Sequence, residues 1–214
     1  MQVLVTGANR GIGAALLEAF ASRGDAVQGT ARDGQRGLIA LDVTDPASVR
    51  AAAAARGTAP LDLLVCNAGV YVDRGEDLDH GFPPAAWAET FAVNVTGVFL
   101  TAQAFLPALR AARGRIAIVS SAMGSDARAP GGSYIYRASK AAALNVGRNL
   151  AADLKGAGIA VGIYHPGWVR SDMGGAQATI DAATSAAGLL ARFDALGPDT
   201  SGVFEDWQGK AIPF

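Results

Sequence analysis

Val3-Leu4-Val5-Thr6-Gly7-Ala8-Asn9-Arg10-Gly11-Ile12-Gly13 carries a short apolar segment straight into three closely spaced glycines, and a segment of helical period, Ile12 to Ser22, follows at once. A buried strand that ends in a tight glycine turn and opens a helix is the first unit of a doubly wound sheet. The glycines let the backbone turn within a few residues. They also let a phosphate approach the amides at the helix N-terminus, where the dipole favours negative charge. The spacing is GxxxGxG, not the GxGxxG of the common dinucleotide fingerprint. Any tight strand-to-helix turn could use such glycines, so the reading depends on the rest of the chain.

Working outward, further apolar runs are short and continuous: Ala26-Val27, Leu38 to Leu41, Leu61 to Cys66, Ile116 to Val119 and Ile159 to Tyr164. Continuous rather than alternating strands imply a sheet covered on both faces. Helical spacing occupies Pro46 to Arg56, Pro84 to Ala112, Tyr134 to Lys155 and Ile180 to Leu196. The alternation predicts an α/β fold: one Rossmann-type domain over residues 1–214, a doubly wound parallel sheet of about seven strands flanked by helices. One junction is short. Only Asp33-Gly34-Gln35-Arg36-Gly37 precedes the third strand, whereas a parallel crossover usually takes about a dozen residues, so the crossover helix there is missing or reduced to a turn.

Composition narrows the function. Half of the residues are hydrophobic and the net charge is −1, which excludes a disordered polymer and gives no basic field for nucleic acid. Cys66 is the single cysteine and the two histidines are His80 and His165, too few for a disulfide or a catalytic metal cluster. The opening residues lack the pattern of a signal peptide, and no apolar run approaches the ~18 residues of a membrane span. The expectation is a cytoplasmic protein with no membrane and no nucleic-acid partner.

The later landmarks fall in a fixed order: Asp42-Val43, Asn67-Ala68-Gly69, Asn94, Ser120-Ser121, Tyr136-Arg137-Ala138-Ser139-Lys140 and Pro166-Gly167. With the glycine turn they make the chain resemble the short-chain dehydrogenase/reductase family over essentially its whole length. Met123-Gly124-Ser125, Gly131-Gly132-Ser133-Tyr134, the run from His165 to Gly175 and the run from Gly202 to Lys210 look like the branch that holds C-factor and the sniffer carbonyl reductases.

Hydride transfer to a carbonyl creates an alkoxide that needs a proton as it forms. Tyr136 and Lys140 are four apart on a helix and share a face, and a neighbouring ammonium is expected to lower a tyrosine pKa. The resemblance implies that Tyr136 is the general acid in reduction and the base in oxidation. It implies that Lys140 tunes it and holds the nicotinamide ribose, that Ser121 orients the substrate oxygen, and that Asn94 holds a relay water. Ser121 precedes Tyr136 by fifteen residues, more than the family usually has, because of extra residues around Asp126 to Gly132. Ser120 is the alternative hydroxyl. Tyr134 competes for the acid role, but its i+4 neighbour is Ala138.

For the cofactor, the resemblance assigns Gly7, Asn9, Arg10, Gly11, Ile12 and Gly13 to the pyrophosphate turn. Asp42 and Val43 go to the adenine, Asn67, Ala68 and Gly69 to the adjacent wall, and Pro166, Gly167, Val169 and Ser171 to the nicotinamide end. Ala31 stands where an acidic residue would bind ribose hydroxyls, and Arg32 follows it, which favours a 2′-phosphate and hence NADP(H), with Arg10 as a second ligand. Asp33 would favour NAD(H) if it slid into that place.

The segment from Gly174 to Gly197 is short and rich in Ala, Gly and Thr, so it anchors nothing by charge and suits a small or flat carbonyl compound. Wall candidates are Met123, Tyr71, Trp168 and Met173. Small residues on the two longest helices, together with the resemblance, predict a homodimer first and a tetramer second. The competing readings are a cofactor-binding signalling or regulatory protein with little turnover, or a reductase of a C=N bond.

Overall fold

The computed structural model describes residues 1–214 apart from the side chain of Arg36. Strand β1 (Gln2–Val5) lies inside a seven-stranded sheet of order β3-β2-β1-β4-β5-β6-β7, formed by β2 (Ala26–Ala31), β3 (Ile39–Ala40), β4 (Leu63–Cys66), β5 (Arg115–Val119), β6 (Ala160–His165) and β7 (Phe204–Asp206). All neighbouring strands pair in parallel. Chain order reverses between β1 and β4, which opens a crevice at their carboxyl ends.

Strand alternation divides the apolar residues between two layers. Val3, Val5, Leu63 and Val65 face α1 (Gly11–Ser22) and α6 (Ala182–Ala195), where Leu16, Phe20, Leu189 and Phe193 complete a buried cluster. Leu4, Leu64, Ile116 and Ile118 face α2 (Pro46–Arg56), α4 (Gly97–Ala112) and α5 (Tyr134–Leu154), meeting Val49, Phe105 and Leu144. Both faces are covered, which is why these strands read as continuous apolar runs.

The short junction is reduced to a turn as the sequence predicts, whereas the long helix departs from the sequence reading. The junction after β2 is a 3-10 turn, Gln35–Gly37, that delivers a strand of two residues. With no helix there, a groove of about 410 Å³ stays open between α1 and β2, lined by Leu17, Val27, Gly29 and Leu38 among others. The helix expected over Pro84 to Ala112 is α3 (Pro84–Phe91), a π-helical turn at Ala92–Thr96, and α4. By length and composition that whole stretch is apolar enough to cross a membrane, and half of its most apolar part is buried in the fold. Asn94, Thr96 and Gln103 interrupt it, so no continuous apolar run marks it in the sequence.

Candidate active site

The glycine turn is held by close approach. Gly7 has φ +64°, and a Cβ there would stand 2.8 Å from Ala68 Cα; a Cβ on Gly13 would stand 2.2 Å from the Gly7 carbonyl oxygen. Thr6 Oγ1 accepts from the amides of Asn67 at 3.0 Å and Ala68 at 3.1 Å. The Asn67 side chain donates to the carbonyls of Thr6 and Gly7 at 2.9 and 3.0 Å. Asn67 and Ala68 thus brace the glycine turn, beside Gly69. Helix α1 starts at Gly11 with no side-chain cap, so its first amides face the crevice without one. Asn9 and Arg10 are exposed on the turn and Ile12 is half-buried.

Beyond β2, Ala31 is buried at the strand end while Arg32 points outward, its Nε 3.7 Å from Asp42 Oδ2. Asp33 does not take the place of Ala31: its Oδ1 accepts from the Gln35 amide at 3.2 Å and caps the turn. Burial pulls the Asp42 carboxyl upward, but the Thr44 hydroxyl and amide and the Arg32 charge outweigh it and hold it below the usual range. Val43 is buried against Gly97, where a Cβ would come within 2.9 Å of it.

The segment after β6 closes over the same turn. Gly167 takes φ +87° against Ile180 and Trp207, and the Pro166 carbonyl accepts from Ser185 Oγ at 2.6 Å. Val169 is buried and pairs with Ile180. Ser171 lies beside Gly11, whose Cβ would be 3.7 Å from the serine Cβ. Next to it Arg10 Nη1 meets Asp172 Oδ2 at 2.6 Å.

The polar groups of the remaining wall are buried. Tyr136, Lys140, Ser121 and Asn94 are all nearly inaccessible. Ser121 lies close enough to the Tyr136 phenol to act on its pKa, and its Oγ accepts from the Met123 amide at 3.1 Å. Ser120, by contrast, donates to the Lys140 carbonyl, so of the two serines only Ser121 meets the phenol. Tyr134 is exposed and packs edge-on against Phe82.

The expected tuning of the phenol runs the other way. Burial raises Tyr136 to about 12, with the nearby Ser121 hydroxyl opposing. The Lys140 ammonium donates to the Val119 carbonyl at 3.1 Å and lies 5.6 Å from the centre of the tyrosine ring, not at its hydroxyl. Burial in turn lowers Lys140 to about 8.

Asn94 sits in the π turn. Its Oδ1 accepts from the Val70 amide at 2.9 Å, and its Nδ2 donates to the Val70 carbonyl at 2.9 Å and to Ser139 Oγ at 3.0 Å. Both amide hydrogens are therefore spent within the protein. π turns of this kind recur at functional sites because the widened turn disturbs the regular carbonyl ladder.

Of the four wall candidates, Tyr71 is placed most tightly. Its ring stacks on Tyr136 at 4.2 Å between centroids, and the Arg74 guanidinium covers its other face at 5.1 Å. Arg74 also donates to the Met173 carbonyl, which joins Met173 to this column. Met123 follows Ser121 in a 3-10 turn. Trp168 is half exposed and donates to Gly174 within its own loop. Arg74 brings a charge to the rim that composition of the lid did not foretell, because it arrives from the loop after β4. Two other residues escaped the sequence reading: Ser139, which links Asn94 to the Tyr136 carbonyl, and Asp73, which meets the first amides of α5. Asp73 reaches α5 across 62 residues and Ser139 meets Asn94 across 45, so neither link leaves a local signal.

The other flagged side chains are plain. Burial pushes the Cys66 thiol up to about 12 and lowers His165 to about 4, and His80 is an exposed loop residue beside Asp77.

A family model described as short chain dehydrogenase matches residues 1–181. The protein named C-signal of Myxococcus xanthus is 43% identical over 162 residues, 73% of this chain and 95% of that protein. Among solved structures, an NADPH-bound carbonyl reductase from chicken fatty liver superposes with a TM-score of 0.90 at 32% identity, covering 100% of this chain and 98% of that one. The carbonyl reductase Sniffer of D. melanogaster does so with a TM-score of 0.92 at 25% identity, covering 100% and 99%.

Proposed function

Because the chain belongs to the short-chain dehydrogenase family, we propose that it is an NADP(H)-dependent oxidoreductase acting on the carbonyl group of a small molecule or on the matching secondary alcohol. The observation that carries this reading is the burial of Tyr136 beside Ser121, with Lys140 one helical turn away.

The residues fit a dinucleotide. The glycine turn has no room for a side chain at Gly7 or Gly13, and α1 opens without a cap. Gly7 to Gly13 would hold the pyrophosphate, Asp42 and Val43 the adenine, and Asn67 to Gly69 the adjoining wall. Lys140 would hold the nicotinamide ribose, and the Pro166-Gly167 turn with Val169 and Ser171 the carboxamide. Arg32 and Arg10 would meet a 2′-phosphate, and the use of Asp33 as a turn cap supports NADP(H) over NAD(H). The likeness to an NADPH-bound carbonyl reductase supports the same choice.

When bound, the nicotinamide ring supplies or takes up the hydride. The substrate oxygen lies between the hydroxyls of Ser121 and Tyr136; as charge builds on it, Tyr136 gives up its proton and Ser121 donates a hydrogen bond. A phenol raised by burial is protonated at neutral pH, so the resting state serves reduction. Oxidation needs the phenolate and gains as pH rises. With both Asn94 amide hydrogens used, a relay water would rest on the main-chain carbonyls of the π turn. A homodimer through α4 and α5 fits the exposed Phe99 on α4, and a cytoplasmic setting suits a single buried thiol.

The test is Tyr136→Phe. Turnover of a carbonyl panel with NADPH should fall about 10²–10⁴-fold while calorimetric NADPH affinity stays unchanged; retained reduction would overturn the reading. The identity to C-signal favours a second reading, a signalling role that depends on the fold and on cofactor binding. Such a role would survive Tyr136→Phe.

A further inference from the structure

Helix α5 carries Tyr136 yet lacks a cap of its own. Ser133, the preceding residue, has φ +48° and makes no capping bond; its hydroxyl lies 2.6 Å from Tyr71 Oη instead. The amides of the first turn are met from another part of the chain. Asp73 Oδ2 accepts from the Ile135 amide at 2.8 Å, and Oδ1 accepts from the Tyr136 amide at 3.2 Å.

Asp73 is 1% exposed. Among the described residues no cation pairs with it, although Arg74 is its neighbour, because that guanidinium covers Tyr71 and reaches Met173. A buried carboxylate without a cation is costly, and here the helix N-terminus compensates it with two amide hydrogens and the positive end of the dipole. A Ser, Thr or Asp just before the helix would cap it locally. A cap from sixty residues away does something a local one would not: it ties the loop bearing Tyr71 and Arg74 to the backbone of Tyr136 itself.

We propose that Asp73 is a positioning residue for proton transfer: it fixes the first turn of α5 so that the Tyr136 hydroxyl stays beside Ser121 with Tyr71 stacked behind it. This rests on the reading of Tyr136 as the acid. The charged and titratable groups facing that phenol are Tyr71, Arg74 and Asp73 from the loop after β4, and Lys140 from its own helix. Of these, Asp73 and Tyr71 act to raise it and Arg74 to lower it.

The experiment is steady-state reduction by Asp73→Asn with NADPH across the pH range, beside Tyr136→Phe and with NADPH affinity measured by calorimetry. Asp73→Asn should lower kcat by about 10- to 100-fold with KM and NADPH affinity nearly unchanged. The alkaline limb of its kcat profile should move to lower pH, since removing a negative charge eases loss of the phenolic proton. Unchanged kcat and an unchanged limb would overturn the proposal even if the variant melts earlier. If Asp73→Asn does not fold, Asp73→Glu keeps the charge and both acceptor oxygens one methylene displaced: reduced kcat at constant NADPH affinity supports the role, and wild-type kcat overturns it. An active Tyr136→Phe would instead remove the acid assignment on which the proposal stands.

Discussion

The two ends of the crevice hold their charges on opposite terms. At the glycine turn, ionic groups meet in solvent: the Arg10–Asp172 side chains are 69% and 76% exposed, and Arg32 of the Arg32–Asp42 pair is 74% exposed. Around Tyr136, the residues Asp73, Asn94, Ser139 and Lys140 are all buried and all hydrogen-bonded. Exposed pairs are worth about 0–1 kcal/mol each, so a carboxylate partner can be exchanged for a phosphate at little cost. A buried network behaves otherwise, because removing one member leaves the others desolvated and unpaired. The binding end is built to be exchanged and the chemical end to stay as folded.

That contrast can be broken, most decisively at Lys140. Lys140→Met should cut reductase turnover by about 100-fold or more, the scale of losing the group that would hold the nicotinamide ribose in position for transfer, yet make the protein more stable at neutral pH. The folded pKa of about 8 lies below the ordinary lysine value of 10.5, so burying the ammonium opposes folding below pH 8. That penalty fades as pH rises toward 10.5 because the unfolded chain then binds the extra proton. Urea unfolding at pH 7 should show the variant ahead by on the order of 1–3 kcal/mol, with the gap closing at pH 10. Asn94→Ala should lose about 2–4 kcal/mol in the same assay, since it strands the amide and carbonyl of Val70.

Smaller effects belong to the exposed end. Arg32→Ala should weaken NADPH by about 10-fold and leave NADH unchanged in calorimetry, the scale of one charged hydrogen bond. Asp172→Ala should change stability by less than about 1 kcal/mol and leave NADPH binding equal or tighter, because it frees Arg10. If Asp172→Ala proved as damaging as Asn94→Ala, the two ends would not differ in the way described.

What could be read in the sequence follows the range of each interaction. The glycine turn is contiguous, Tyr136 and Lys140 are one helical turn apart, and Ser121 ends a strand whose apolar run marks it. All three sites are visible in a local window. Asp73 is not, because its partners lie 62 and 63 residues away, and Ser133 stands in sequence where a local cap would be. The π turn was hidden for a different reason: Val93, Asn94, Gly97 and Val98 keep a helical burial rhythm through it, so periodicity reads one helix. The direction of the Tyr136 shift differs from the sequence expectation because burial sums over every neighbour, whereas the sequence offers only the nearest cation. At β3, the shortness of the connection was plain, but a parallel strand of two residues is too brief to leave a pattern.

The packing of Gly167 has a spectroscopic consequence. A Cβ there would lie 2.9 Å from Trp207 Nε1, and the next residue is the half-exposed Trp168, so two of the three tryptophans bracket the turn after β6. The third, Trp87, packs on Phe91 in α3. Ultraviolet emission from this protein therefore reports chiefly on one segment, and a blue shift without any attached label would mark the moment when that segment covers Trp168.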